Sequence, residues 1–372
     1  MAIHLKNVHI ECYRGITDLE LKNLNGINIL TGDNNSGKTS ILELLSTLQS
    51  PYSFETWNIC AREPLRRGFR RAYFEMFYSL FPIDQIEKRL AFNVETYDKG
   101  SYYIELISNI YKTMVSEADI NYINGYPLRK NENQTQDMDV HCMELILEIN
   151  GEKTKLEELY DFQYRLRRVR NNLQSPIYSL KKHSIYPSIY ITPFYHATHS
   201  TSLNNIASDK EMYDDLIEAL REFEPGIVSI IATESKFFGI TSDYRIMSDN
   251  HSEGIPLGVY GDGMKKAFSL MNAVLRAKHG LLLIDEFETS IHPSAMNKFF
   301  SWILKTAMKN DVQVFLTSHS QEAIEKVLNL DEEIKDNTNL YTLYNYDGKN
   351  TVRMMACREA IEASMHMGVD LR

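Results

Sequence analysis

The stretch that decides the fold is Gly32-Asp33-Asn34-Asn35-Ser36-Gly37-Lys38-Thr39, which fills every fixed position of the pattern G-x-x-x-x-G-K-[ST]. A strand-like apolar run, INIL at 27–30, precedes it, and ILELLSTLQ at 41–49 places its leucines on one helical face. In a strand, glycine-containing loop and helix arranged in this order, backbone N–H groups can wrap a phosphate group. The sequence therefore predicts a phosphate-binding loop at the start of a helix.

The side chains of this loop have separate expected roles. We expect the ammonium of Lys38 to reach the terminal phosphates of a nucleotide and the hydroxyl of Thr39 to bind Mg²⁺. A glycine-rich turn that carried a lysine by chance would rarely have both the strand and the helix beside it. The predicted nucleotide-binding residues are Gly32, Asp33, Asn34, Asn35, Ser36, Gly37, Lys38, Thr39 and Ser40.

A second motif lies far along the chain, where the apolar run LLLI at 281–284 is followed by Asp285 and Glu286. Apolar residues on both faces predict a buried strand, and open α/β sheets bind ligands at the carboxyl ends of their strands. We expect Asp285 to bind Mg²⁺ together with Thr39, and Glu286 to orient or deprotonate the attacking water. Without a phosphate loop in the same chain, such an Asp-Glu pair would more often be the entry to a helix cap.

Two further segments complete the pattern. VQVFLTS at 312–318 predicts another buried strand, and His319 follows at its end, where an imidazole can sense the γ-phosphate. Gly261-Asp262-Gly263-Met264 stands directly before a predicted helix. Glycine-rich turns before helices are common, so this second segment is weak evidence by itself.

Together, GDNNSGKTS, GLLLIDEFETSIHP and FLTSHS resemble the Walker A, Walker B with D-loop, and switch-histidine motifs of ABC-type ATPases, in the same order. The similarity is greatest to the SMC, RecF and OLD group of AAA-like proteins, which includes stand-alone ATPase subunits of bacterial anti-phage systems. The opening ECYRGITDLEL resembles the first strands of that group, where an arginine such as Arg14 lies near the nucleotide. GDGM at 261–264 occupies the place of the signature motif but lacks the LSGG form, and no Q-loop glutamine can be assigned.

The resemblance implies a fold and a mechanism. The fold is an α/β P-loop NTPase with an ABC-ATPase-like core and a mixed sheet. In this group two subunits enclose two ATP molecules, so the signature at 261–264 would act in trans on the partner's ATP. Glu286 and His319 would act in cis as the catalytic residues, and ATP and Mg²⁺ are the expected cofactors.

The distance between the two main motifs predicts an interrupted core. Segments 1–50 and 186–372 are expected to form the ATPase core, and 51–185 an inserted subdomain. Prolines are scattered through 51–185 and no heptad pattern is sustained there. These features favour a compact α-rich or α+β insertion over the long coiled coil that SMC proteins carry at this place.

Composition limits the classes of partner. The formal net charge of −10 over 372 residues argues against a protein that is basic throughout and coats nucleic acid. The four cysteines lack CxxC spacing, so they do not indicate a zinc site or a thioredoxin-like redox centre. No apolar run is long enough to span a membrane, and we expect a cytoplasmic protein. Two Arg-rich segments, 62–71 and 165–182, stand out from this background. They could contact nucleic acid, contact an acidic partner surface, or be solvated.

The sequence thus predicts a protein that hydrolyses ATP, forms a homodimer or higher oligomer on ATP, and couples nucleotide state to a separate effector. The resemblance suggests a nuclease in anti-phage defence as that effector. OLD-type nucleases continue into a Toprim domain after this histidine, whereas about 50 residues follow His319 in this sequence, so we expect a nuclease to be a separate polypeptide. The alternative is a RecF-like DNA-repair ATPase that clamps DNA through the Arg-rich segments. A transporter motor is disfavoured by the missing LSGG signature and the large insertion.

Overall fold

The computed structural model describes residues 3–62, 73–116, 137–162, 184–193, 207, 209–221, 223–234, 242–289, 296–346 and 349–371. The strands in these ranges are β1 (Leu5–Tyr13), β2 (Ile16–Leu21), β3 (Ile27–Gly32), β4 (Lys88–Thr96), β5 (Ser101–Ser116), β6 (Asp137–Ile149), β7 (Glu152–Tyr160), β8 (Ser188–Ile191), β9 (Ile227–Glu234), β10 (Ser242–Ser248), β11 (Ile255–Pro256), β12 (Leu281–Ile284), β13 (Gln313–Thr317), β14 (Thr338–Tyr346) and β15 (Lys349–Ala356). The helices are α1 (Lys38–Ser46), α2 (Phe54–Ala61), α3 (Tyr73–Tyr78), α4 (Lys210–Arg221), α5 (Asp262–Arg276), α6 (Met296–Lys309), α7 (Gln321–Leu328), α8 (Glu332–Asp336) and α9 (Cys357–Met367).

One six-stranded sheet carries the sequence motifs and has the order β15-β14-β3-β13-β12-β8. Strands β14, β3, β13, β12 and β8 run parallel, and β15 closes one edge in the antiparallel direction. Every residue of β3, β12 and β13 is buried, as their apolar sequences predict. Since parallel strands have their carboxyl ends at the same edge, the segments after β3, β12 and β13 come together there.

Each face of this sheet packs against a separate hydrophobic core because side chains alternate along a strand. On β12, Leu282 and Ile284 face a core formed mainly by helices α4 to α7 and α9, which includes Phe300 of α6. Leu281 and Leu283 face the opposite core, which holds α1. The helix predicted after the GDGM segment is present as α5.

A second six-stranded sheet, of order β2-β1-β4-β5-β6-β7, is antiparallel throughout. It packs over α1, so that Leu45 of α1 and Phe92 of β4 belong to one core. Strand β4 pairs with β1, with Val8 opposite Val94, and this pairing joins the segment after residue 51 to the first strands of the chain. The α/β fold with an ABC-ATPase-like core is confirmed, whereas the division into 1–50, 51–185 and 186–372 stays a prediction.

A small antiparallel sheet of order β11-β10-β9 lies beside the first core. Its buried residues Ile230 and Ile246 pack in the same core as Phe268 of α5. This sheet therefore supports the helix whose N-terminal end carries the GDGM segment.

Candidate active site

The phosphate loop joins β3 to α1 and requires glycine at two positions. Gly32 has φ +126° and Gly37 has φ +103°, which side chains rarely adopt. A Cβ at Gly32 would lie 2.1 Å from the carbonyl oxygen of Leu343, and one at Gly37 would lie 2.8 Å from Cδ1 of Ile16. Gly37 is also the N-cap of α1, and the N-terminus of a helix favours an anion. The fold thus has a close-packed loop suited to phosphate at the predicted position.

Lys38 is buried within this loop. Its Nζ donates to the carbonyl oxygens of Gly32 at 2.7 Å and Asp33 at 2.8 Å, and to Ser36 Oγ at 3.3 Å. Burial lowers the pKa of Lys38 to about 8, against the opposing effect of the Asp285 carboxylate. The loop therefore holds the ammonium among oxygen acceptors, a setting that phosphate oxygens can share.

The remaining loop residues form its rim. Asp33, Asn34 and Asn35 are exposed, and Asn35 has φ +63°, in the left-handed region that asparagine tolerates. Ser36 is buried, and its N–H donates to the carbonyl oxygen of Asp33 at 3.2 Å. The rim thus leaves the outer side of the loop open to solvent.

Asp285 and Thr39 meet although they are 246 positions apart in the sequence. The Thr39 Oγ1 atom lies 3.1 Å from each carboxylate oxygen of Asp285. The hydroxyl of Thr317 donates to Asp285 Oδ1 at 2.6 Å, and that of Tyr190 donates to Oδ2 at 3.4 Å. A carboxylate beside a hydroxyl supplies the oxygen ligands that Mg²⁺ prefers. Thr39 and Asp285 therefore fit the predicted Mg²⁺ site.

Glu286 follows with its backbone in the left-handed region, at φ +47°. Its N–H donates to Thr317 Oγ1 at 2.8 Å, and its carbonyl oxygen accepts from both the N–H and the hydroxyl of Thr289 at 2.9 Å. Burial raises the pKa of the Glu286 carboxyl, and the negative charges of Asp285 and Glu288 add to the rise. A carboxylate with a raised pKa is a stronger base, which suits proton removal from water.

The switch histidine lies at the same edge of the sheet. His319 follows β13, and its backbone N–H donates to Glu288 Oε1 at 2.8 Å. The His319 side chain is close enough to oppose the rise in the pKa of Glu286. The structure thus brings together His319, Glu286 and Asp285 from two strand ends, and it adds Glu288, which the sequence patterns did not single out.

A second cluster that sequence reasoning missed surrounds Glu43 of α1. The Glu43 carboxylate is buried and accepts from the hydroxyl of Tyr13 at 3.0 Å, from Arg14 at 3.4 Å and from Arg62 at 2.6 Å. Arg62 also donates to Ser40 Oγ at 3.3 Å. Burial raises the pKa of Glu43, and both guanidinium groups oppose that rise. Arg14 and Ser40, predicted to bind nucleotide, are therefore linked through Glu43 and Arg62.

The signature segment lies at the exposed N-terminal end of α5. Gly261 is the N-cap, Gly261, Asp262 and Gly263 are exposed, and Met264 is buried. Among the described residues, apart from adjacent backbone, no atom lies within 4 Å of a Cβ built at Gly261 or Gly263, and neither residue has a positive φ. In the described part of the chain, no hydrogen bond or ion pair joins 261–264 to the phosphate loop. The signature and the phosphate loop of one chain are therefore separate surfaces.

Comparison with known protein families agrees with this geometry. The family model described as "AAA domain, putative AbiEii toxin, Type IV TA system" matches residues 27–325. The chain belongs to this AAA family. The matched span includes the phosphate loop, the Asp285 strand and His319, so the P-loop ATPase type predicted from the motifs is confirmed at the level of the family.

Relatives of this AAA protein include enzymes and repair proteins. A Helicobacter pylori protein named ATP/GTP phosphatase is 24% identical over 336 residues, which cover 86% of each chain. The DNA replication and repair protein RecF of Shewanella piezotolerans is 44% identical over 52 residues, which cover 14% of each chain.

Among solved structures, the fold is similar to that of an SMC head. The Smc head domain with an extended coiled coil, bound to the C-terminal domain of ScpA derived from Pyrococcus furiosus, has a TM-score of 0.50 and 9% sequence identity. The alignment covers 98% of this chain and 100% of that chain. At this identity the match shows the fold alone.

Two predicted features of this AAA protein fall largely outside the described residues. The Arg-rich segment 62–71 is described only at Arg62, and segment 165–182 is not described at all. In the described ranges, none of the helices is long and apolar enough to cross a membrane.

Proposed function

We propose that this AAA-family protein binds ATP and hydrolyses it with the help of Mg²⁺. The observation that carries the proposal is the position of Thr39 Oγ1, 3.1 Å from each carboxylate oxygen of Asp285. This contact makes the phosphate loop and the acidic strand end one site. The name of the Helicobacter pylori relative supports a nucleoside triphosphate as substrate.

The side chains of the site have separate roles in hydrolysis. The loop N–H groups and Lys38 bind phosphate oxygens in a buried setting, where charge interactions are stronger than in water. Thr39 and Asp285 would hold Mg²⁺, which neutralises phosphate charge when bound. Glu286 takes a proton from the attacking water as its oxygen bonds to the γ-phosphorus, and the bond to the bridging oxygen breaks to leave ADP. His319 contacts the γ-phosphate as its sensor.

We propose further that ATP joins two copies of the chain. Glycine is favoured at an N-cap, which accounts for Gly261, but Gly263 lies in the first turn of α5, where glycine loses more backbone entropy on folding than alanine. Among the described residues, no packed neighbour requires glycine at 263. Close approach of a phosphate to the backbone N–H groups of a helix N-terminus provides a reason. Because no hydrogen bond or ion pair in the described part of the chain joins 261–264 to the phosphate loop, this phosphate would belong to ATP on the partner copy.

The dimer would couple nucleotide state to a separate effector in the cytoplasm. The motif resemblance to anti-phage ATPase subunits supports a nuclease in that role. The alternative is a RecF-like repair ATPase that clamps DNA, and the 52-residue match to RecF favours it. In both cases loss of the γ-phosphate would loosen the dimer and change its surface.

The ATPase proposal is tested by paired variants. Lys38→Ala should weaken ATP binding by roughly 100-fold or more, because a buried ammonium is lost from the phosphate site. Glu286→Gln should keep ATP binding but lower turnover by roughly 100-fold or more and accumulate a dimer with ATP. Calorimetry, phosphate release and light scattering measure the three effects, with Lys326→Ala, a partly exposed lysine of α7 that pairs with Glu322, as control. Normal turnover by the Glu286 variant would exclude its assignment as the base.

A second experiment separates the effector model from the repair model. The tagged chain is purified together with the products of adjacent reading frames, and its ATPase rate is measured with and without duplex DNA over a range of salt. Co-purification of a nuclease whose cutting responds to ATP supports the effector model. DNA-stimulated ATPase that falls steeply with salt, without such a partner, supports the repair model.

A further inference from the structure

The loop that carries His319 is tied to the Asp285 strand end by a carboxylate. Between β13 and α7 the loop bonds to itself, because the N–H of Ser320 donates to Ser318 Oγ at 3.0 Å and that of Ala323 donates to Ser320 Oγ at 3.2 Å. The N–H of His319 points outward from this arrangement and donates to Glu288 Oε1 at 2.8 Å. Glu288 therefore links two loops that follow different strands.

The segment that presents Glu288 is well supported. It is a single 3-10 turn, Phe287–Thr289, closed by the N–H of Thr289 on the carbonyl oxygen of Glu286 at 2.9 Å. Phe287 is fully buried and meets Phe300 of α6 edge to face, with ring centroids 5.1 Å apart. Since the turn is anchored on both sides of Glu288, the position of its carboxylate is defined by packing and not by the His319 contact alone.

The second oxygen of the Glu288 carboxylate makes no hydrogen bond in the described part of the chain. Glu288 Oε2 is buried, and within the described ranges it has no hydrogen-bond partner. A buried acceptor without a partner lowers stability, because water that solvated it in the unfolded chain is not replaced. A residue chosen only for stability would not leave a buried carboxylate oxygen without a partner.

We propose that Glu288 is a positioning residue for hydrolysis, which holds the His319 backbone so that the imidazole stays beside Glu286 when the γ-phosphate is present. The inference rests on the proposed ATPase function and deepens it. Glu288 acts through His319 and does not itself contact the reacting atoms. The turn that carries Glu288 and the loop that carries His319 then form one rigid unit. Binding or loss of the γ-phosphate at His319 would therefore affect the ends of both strands.

Turnover kinetics test this role by comparing two substitutions. Glu288→Ala should lower kcat by roughly tenfold or more while KM for ATP changes by less than about threefold, because the groups that bind ATP remain. Glu288→Gln should restore kcat to within about threefold, since its amide oxygen still accepts the His319 N–H. Equal losses in the two variants would show that the charge acts directly in the chemistry, and would overturn the positioning role.

A double variant tests whether Glu288 acts through His319. The variant His319→Ala/Glu288→Ala should be no more than about threefold slower than His319→Ala alone, because the positioned group is already absent. A further tenfold loss would overturn the proposal. Glu322→Ala is the matched control, because Glu322 is exposed, lies on α7 just past the loop, and bonds to Lys326 at 2.6 Å. Its turnover should equal that of the unmodified chain.

Hydrogen exchange gives a readout that does not depend on turnover. The His319 amide should exchange at least about tenfold faster in Glu288→Ala than in the unmodified chain or in Glu288→Gln, because it loses its acceptor. Equal exchange in all three overturns the inference even if the protein is an active ATPase. If the exchange result is as expected but Lys38→Ala and the unmodified chain release phosphate at the same rate, the proposed ATPase function fails and the loop contact stands.

Discussion

Two pairs of glycines in this protein have opposite surroundings. Gly32 and Gly37 of the phosphate loop have positive φ values and no room for a Cβ, since Leu343 and Ile16 pack against them. Gly261 and Gly263 at the start of α5 have ordinary backbone angles and open space. Both pairs lie beside a helix N-terminus, but packing among the described residues requires glycine only in the first pair, and in the second pair Gly261 has a local role as the N-cap of α5.

The first pair belongs to a site that one chain completes. The second pair lies on a surface that a group from outside the chain would complete. The phosphate loop, Thr39 and Asp285 form their contacts within the chain. Among the residues that the structure describes, the N–H groups of Asp262 and Gly263 at the exposed end of α5 have no hydrogen-bond acceptor, and no hydrogen bond or ion pair joins 261–264 to that loop. The proposed approach of a phosphate held by a second copy would account for glycine at 263, because phosphate binds the N–H groups of a helix N-terminus.

Substitution of a phosphate-loop glycine should give the largest effect. Gly32→Ala places a Cβ against a backbone carbonyl and at φ +126°, so we expect the free energy of unfolding to fall by at least about 3 kcal/mol. Denaturant unfolding measures this change. Gly151→Ala is the matched control, because Gly151 has φ +90° but open space, and only about 1 kcal/mol should be lost there. Equal losses at the two positions would show that the close contact with Leu343 contributes nothing.

Substitution at the signature should leave folding intact and affect assembly. Gly263→Ala should keep the free energy of unfolding unchanged or raise it by up to about 1 kcal/mol, because alanine suits a first helical turn better. The ATP-dependent dimer of the Glu286→Gln background should weaken by roughly tenfold or more, because the added methyl group obstructs close approach to the backbone.

The matched control for this experiment is Gly258→Ala, since Gly258 precedes the signature and is equally open. Light scattering against ATP concentration follows the dimer. An undisturbed dimer in Gly263→Ala would remove the argument that the two glycine pairs serve one composite site.

The parts of the site that sequence reasoning found are those marked by short local patterns. The phosphate loop, the strand before Asp285 and the strand before His319 are recognisable because each joins a buried apolar run to polar residues at its end. The core sheet and α5 were predicted for the same reason. The strands β5, β6 and β7 were not predicted, although Leu145, Leu147 and Ile149 of β6 are buried and alternate with less buried residues, which is the period of a strand.

Glu43 and Glu288 were missed for a different reason. Glu43 stands among the buried leucines of α1, and a charge on an apolar helix face is a signal that could have been noticed. Its partners, Arg14 and Arg62, come from distant segments that no local pattern connects to it. Glu288 looks like an ordinary acid after a strand until its contact with His319 is seen.

The sequence by itself determined the type of site, because phosphate binding needs glycines, a lysine and a helix start within a few residues of one another. Tertiary structure decided the assembly of that site. The order β3-β13-β12 puts Thr39, Thr317 and Asp285 side by side, because strands distant in sequence are neighbours in the sheet. The pairing of β4 with β1 likewise depends on backbone hydrogen bonds, which carry no sequence signature.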